Sequence, residues 1–371
     1  MEELDVLAII GIVSTFISLL LAFFIISVES TNKVSNKLFA SFLILNAVEF
    51  SGWFSSLFFD TPNNVLIFKS QLSHLTIPVF YLYILSVCYS DFKLKWKHLW
   101  HITPFIIANL VMFPRYYLSN ASDKLALFKN NNEQFETIYM HFSLHIQSTI
   151  YIIIGFIVLK RAKKIFVENY SSSTIQTYNW LFQLLLFTAI LYGIAFVKNL
   201  FKYFGDKDYF QTSQIILSLV ILCFVCWYVL KALKHPKLFS GVNSKTKLTT
   251  DLVEETKTSI NKEEIEELTL FMKKEKPYLN PSLTIRHLAE EIKMNPRDLS
   301  VLINQHLNQH FFDFVNEYRI EEAKTILKNP DKKAFTVLEI LYDVGFNSKS
   351  SFNTAFKKHT GLTPTQFRKT A

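Results

Sequence analysis

The sequence predicts an all-α protein in two parts: a seven-helix transmembrane bundle, then a soluble domain with two helix-turn-helix units. Three observations predict it. Half of the 371 residues are hydrophobic, and 36 are Phe. The apolar residues gather in seven long runs that end near Leu233. After Pro277, short amphipathic stretches alternate with Thr, Asn, Ser and Gly where helices are capped and turned. The net charge of +8 suits either DNA or the anionic inner face of a membrane. Three Cys, none in a predicted outer loop, argue against a disulfide framework.

The first run, Val6–Val28, has 23 residues and no charge. Its acidic start (Glu2, Glu3, Asp5) excludes a signal peptide, which needs a basic one. Further spans are expected at Leu38–Phe59, Leu72–Ser90, Leu99–Leu118, Ile138–Leu159, Trp180–Phe204 and Phe210–Leu230. Each is near the length that a hydrocarbon core requires. In the fourth, Pro104, Pro114 and Arg115 crowd the ends. Loops after spans one, three, five and seven hold twelve Lys and Arg, against six in the others. Basic residues stay on the cytoplasmic side. The expected orientation is therefore N-terminus outside and C-terminus in the cytoplasm, in a bacterial inner membrane. Trp96, Trp100 and Trp180 fall at predicted boundaries, where indoles settle.

Three regions follow: 1–233 in the bilayer, a linker over 234–276, and a soluble domain over 277–371. In the linker Ile265, Leu268 and Met272 share one helical face. That face either packs on the next domain or dimerises, although too few heptads fit for a stable coiled coil.

In the soluble domain Thr284 caps a helix over Ile285–Ile292. Asn295 caps a second, Arg297 to about Leu307, with Pro296 in its first turn. Leu299, Leu302 and Ile303 are its expected core, and Arg297, Ser300, Val301 and Asn304 its exposed side. The pattern repeats after a long amphipathic helix, Phe312–Lys328. Thr336 caps Val337–Val344, Gly345 turns the chain, and Ser348 caps Lys349–His359. There Phe352, Ala355 and Phe356 face inward, and Lys349, Ser350, Asn353, Thr354 and Lys357 outward. The exposed side of the second helix of such a unit enters a major groove. Arg286, Lys357 and Lys358 are expected on phosphates.

The stretch DVGFNSKSSFNTAFKKHTGLTPTQFR, Asp343–Arg368, closely resembles the signature of the AraC/XylS family of transcription regulators. So do Leu288-Ala289 and FFDFVNEYR, Phe311–Arg319. The resemblance covers about 277–369. It implies two helix-turn-helix units and double-stranded promoter DNA as partner. Leu341 stands where the family usually has a small residue, which is expected to loosen the second unit. Residues 277–371 carry 13 Lys and Arg and 10 Asp and Glu, a net of +3. Affinity per monomer should then be modest, and a homodimer would raise it. The membrane half resembles, in architecture only, those of bacterial one-component sensors.

Ionisable residues inside spans are costly and point to function. Glu49, His74, His141, His145 and Lys198 all fall in the middle or outer half of their spans. They form either a polar pocket for an unknown small molecule or proton, or plain helix-to-helix pairs such as Glu49 with Lys198. His141 and His145 lie one turn apart, but no third ligand is identifiable, so no metal is expected. Cys88, Cys223 and Cys226 read as core. No Gly-rich phosphate loop, G-x-S-x-G or H-E-x-x-H occurs, so no catalytic residue and no cofactor is expected. The function expected is transcription control by a signal sensed in or across the membrane. The alternative is a transporter or membrane enzyme carrying an autoregulatory DNA-binding domain.

Overall fold

A computed structural model describes residues 5–27, 33–59, 61–89, 91–129, 131–169, 175–204, 207–234, 262–329 and 335–370. Among these there is no β-strand. The chain forms two compact units, Met1–Leu159 with Trp180–Gly241, and Lys160–Asn179 with Val242–Ala371.

The first unit begins with α1 (Val6–Ser27) and α2 (Lys33–Phe50), the latter prolonged by a 3-10 stretch, Ser51–Leu57. Helices α3 (Asn64–Gln71) and α4 (Ser73–Cys88) run almost without a break. Next come α5 (Thr103–Met112), α6 (Ala121–Lys129), α7 (Phe135–Asn169), α8 (Ile175–Phe204) and α9 (Lys207–Lys234). Six helical stretches among the described residues are long and apolar enough to cross a membrane. Their outer faces are apolar too: Phe16, Phe23, Ile146 and Ile157 are each at least 60% exposed. Soluble monomers do not carry such continuous apolar surface. Cys88 is buried as expected, but Cys223 is exposed, so not all three cysteines are core.

Among the described residues the count of such long apolar stretches is six, not seven. The fourth expected span, Leu99–Leu118, is not one α-helix. It divides into a 3-10 stretch (Trp96–Ile102), α5 and a π-turn (Phe113–Tyr117). The prolines account for both breaks. Pro104 sits in the first turn of α5, where its missing N–H costs nothing, and Pro114 cannot donate back into the helix. The Tyr117 hydroxyl donates to Asn109 Oδ1 at 2.7 Å and bridges the second break. The whole path lies antiparallel along α3 and α4. Asn64 Nδ2 donates to Tyr117 O at 3.3 Å at one end, and the Tyr81 and His101 rings meet at 5.7 Å near the other.

Pro78 stands inside α4 and leaves the carbonyl of His74, four residues back, without its helical donor. Gln147 of α7 fills the gap: its Nε2 donates to His74 O at 2.8 Å. Beside it His74 Nε2 shares a hydrogen bond with Ser143 Oγ at 3.1 Å. The proline gap thus ties α4 to α7 through Gln147, and the His74–Ser143 bond adds a second tie.

The second unit holds α10 (Lys262–Glu275), α11 (Ile285–Glu291), α12 (Pro296–Val301, continued by a π-turn to His306), α13 (Phe311–Lys328), α14 (Val337–Asp343), α15 (Lys349–Thr360) and α16 (Pro364–Thr370). Leu268 and Met272 of α10 are buried with Leu288, Leu299, Ile303 and Phe311 in one core. Ile340, Leu341, Phe352 and Phe356 form another with Ile320 and Ala323 of α13. Helix α10 is therefore packed on the domain. Residues 235–261 of the expected linker lie outside the described residues.

The Pro78 patch gives a first prediction. Gln147→Ala strands the His74 carbonyl and should cost about 1–3 kcal/mol, read as a lower thermal midpoint of the purified protein. With Pro78→Ala, which restores the helical donor, the same change should cost clearly less. Equal losses in both backgrounds would show that Gln147 does not serve the proline gap.

Candidate DNA interface and bundle cavity

The two helix-turn-helix units are set by local chemistry. Thr284 Oγ1 accepts from His287 N, and Asn295 Oδ1 accepts from Arg297 N at 2.9 Å. In the second unit Thr336 and Glu339 form a capping box, in which the Glu339 carboxylate accepts from Thr336 N at 2.7 Å. Those hydrogen bonds hold the exposed Glu339 carboxyl below its usual range. Ser348 Oγ accepts from Ser351 N and opens α15.

Lys349, Ser350, Thr354 and Lys357 are exposed and Asn353 is half-buried, all on α15. Arg297, Val301 and Asn304 are half-buried along α12 and its π-turn. Ser300 departs from expectation: it is buried, not exposed. It lies beside Ile303 and Leu307 around the helix, and Asn304 closes over it, donating to Ser300 O at 2.9 Å. Gln305 and His306 are exposed instead, because the π-turn inserts extra backbone there. Of the residues expected on phosphates, Arg286 is exposed, while Lys358 is held by Asp313 at 2.7 Å. Leu341 is fully buried in the second core, so its bulk is accommodated.

The two units are locked together by Arg319 of α13, which is 1% exposed. Its Nε donates to Tyr278 O at 2.7 Å and its Nη2 to Asn280 O at 2.8 Å. Burial draws its pKa down to about 10, which still leaves it charged at neutral pH. On the same helix Glu322 grips Lys276 at 2.9 Å and accepts from the Tyr278 hydroxyl. The segment 276–280 is thereby pressed against the turn of the second unit. Gly345 has φ +87°, and a Cβ there would lie 2.6 Å from Tyr278 O. Only glycine fits, on both counts.

In the first unit a cavity of about 380 Å³ lies among α2, α4, α7, α8 and α9. Glu49, His141, His145 and Lys198 all line it. His74 does not; it is buried and bonds Ser143, which is not part of the lining either. Glu49 keeps exposed surface although helices surround it, because that surface is cavity wall. Glu49 and Lys198 act on each other electrostatically, yet among the described residues no ion pair joins them. His145 Nε2 accepts from the Asn199 amide at 2.9 Å, and His141 Nδ1 bonds the Tyr203 hydroxyl. Lys69 and Gln214 also line the polar end. The other end is apolar, with Phe42, Ile221, Phe224 and Val225. Sequence reasoning missed Asn199 and Gln214, which are uncharged, and counted Lys69 only as a loop charge. No group of three His, Cys, Asp or Glu suited to a metal occurs among the described residues.

Two substitutions test the lock in the 262–371 fragment by urea unfolding. Arg319→Ala takes the side-chain donor from the buried Tyr278 carbonyl, at about 1–3 kcal/mol, while Asn280 O keeps its bond from Leu283 N. Gly345→Ala meets a backbone strain of about 1–3 kcal/mol before any clash. Unchanged midpoints would mean that the 276–280 contact is dispensable.

Comparison with known proteins agrees with this geometry. Residues 288–370 match the family described as "Helix-turn-helix domain". The uncharacterized transcriptional regulatory protein YesN of Bacillus subtilis is 35% identical over 92 residues, 24% of either chain. The melibiose operon regulatory protein of Escherichia coli is 30% identical over 88 residues, 24% of this chain and 28% of its own. A 54-residue match, 50% identical, covers 15% of this chain and 30% of an uncharacterized HTH-type transcriptional regulator of Pseudoalteromonas carrageenovora. The chain thus spans about a quarter of the length of the first two relatives. No solved structure matches it. The signature, the two capped units and these matches together place the C-terminal domain in the AraC-type helix-turn-helix family of transcription regulators.

Proposed function

We propose that this chain is a membrane-bound, one-component transcription regulator. One observation carries the proposal: an AraC-type domain shares a chain with six long apolar helices, five of which line a charged cavity. The broken path over 96–117 serves as the seventh crossing. It runs beside α3 and α4 from Tyr81 to Asn64, which is about 26 Å of helix rise. Seven crossings leave the termini on opposite sides, and the loop charges put the C-terminal domain in the cytoplasm. There α12 and α15 read promoter DNA.

The cavity is the sensing site. Glu49, Lys198, His141 and His145 offer both charges and several hydrogen bonds at one end, above an apolar floor. A small amphiphile with a polar head fits that division. Helix α9 lines the cavity from Gln214 to Tyr228 and leads by sequence into the linker and α10. A ligand that binds one position of α9 better than another would shift the regulator between states.

Replacing Arg297 by Ala is expected to weaken DNA binding by about 1–3 kcal/mol and relax sequence choice, and Lys349→Ala likewise. Footprints of the 262–371 fragment read this; unchanged protection in both variants would mean that other faces contact DNA. Glu49→Gln should alter the promoter response of the full chain in cells. The fragment, which lacks Glu49, gives the reference footprint. A full chain whose promoter response is untouched by Glu49→Gln and by Lys198→Met would refute the sensing role.

A further inference from the structure

A second crevice, of about 420 Å³, opens between α4 and the 3-10 stretch Trp96–Ile102. We propose that it holds an anionic phospholipid at the cytoplasmic boundary of the bundle. This rests on the reading that the helices cross a membrane, but not on any role of the cavity around Glu49.

Three observations converge on that occupant. First, one end of the crevice is basic. Lys95, His98 and His101 line it, and the surrounding loop carries Asp91, Lys93, Lys95 and Lys97, a net of +2. His98 Nδ1 accepts from Lys95 N at 2.9 Å, so the ring proton sits on Nε2. That nitrogen is a donor suited to a phosphate oxygen. The ring itself is fixed by stacking on Phe92 at 5.2 Å. Second, the other end is apolar: Leu75, Val79 and Leu82 of α4 form a strip along the helix. An acyl chain lies along such a strip, while a free phosphate gains nothing from it. Third, Trp96 and Trp100 are 87% and 78% exposed on the same turn. Indoles so exposed mark the headgroup level of a bilayer. A basic pocket among helices on the cytoplasmic side is where anionic headgroups bind.

The test is thermal unfolding of the full chain in detergent, with phosphatidylglycerol, phosphatidylcholine or inorganic phosphate added. Wild type should gain several degrees more from phosphatidylglycerol than from phosphatidylcholine, and nothing from phosphate alone. Lys95→Ala should lose that preference, and Lys95→Arg should keep it. Lys33→Ala, which removes a charge on α2 outside the crevice, should keep it as well. Equal stabilisation by both lipids, a preference that survives Lys95→Ala, or a full effect of phosphate alone would overturn the proposal. A chain that stays monomeric and folded without detergent would overturn the membrane reading along with it.

Discussion

Peptide groups along the long apolar helices must find their hydrogen bonds within the protein wherever apolar side chains surround them. That constraint governs the whole first unit. It forces helix wherever the chain is apolar, and it demands repair wherever proline interrupts. The Pro78 gap is filled from α7 by Gln147, and the break at Pro114 is bridged by Tyr117 and Asn109. Each repair also fixes how one helix meets its neighbour or itself. Irregular backbone here is tied to specific side chains.

The same demand explains where polarity collects. With outer faces apolar, polar side chains in the bundle turn inward and meet. Glu49, Lys198, His141 and His145 come from three helices and share one cavity wall. An ionised carboxylate in a dry interior would be prohibitive, and the open surface of Glu49 inside the cavity relieves that cost. The C-terminal domain solves the converse problem in water. Its buried charge, Arg319, is satisfied by backbone carbonyls, and in being satisfied it fastens one helix-turn-helix unit to the other.

Much of this was legible in the sequence where the signal is local. Apolar runs marked the long helices, and Thr284, Asn295, Thr336 and Ser348 marked helix starts because an N-cap acts over two or three residues. Gly345 was readable as a turn, but the reason no other residue fits is the Tyr278 carbonyl, 67 positions away. Ser300 reads as exposed because it is small and polar, yet it shares the helix side of Ile303 and Leu307, and the Asn304 amide folds over it. The fourth span reads as one helix because its composition is mostly apolar, but its two prolines decide its shape. Charged residues in spans stood out, while Asn199 and Gln147 did not, since an uncharged amide reveals its partner only in three dimensions.

Vesicles of defined sidedness test directly whether a DNA-reading domain sits on the cytoplasmic side of a membrane that its own chain crosses, using a duplex selected for binding by the 262–371 fragment. Inside-out vesicles carrying the full chain are predicted to retain the duplex, and to lose it with Arg297→Ala and Lys349→Ala combined. Right-side-out vesicles are predicted not to bind it until opened by detergent. Binding by sealed right-side-out vesicles, or recovery of the full chain in the soluble fraction, would contradict the account.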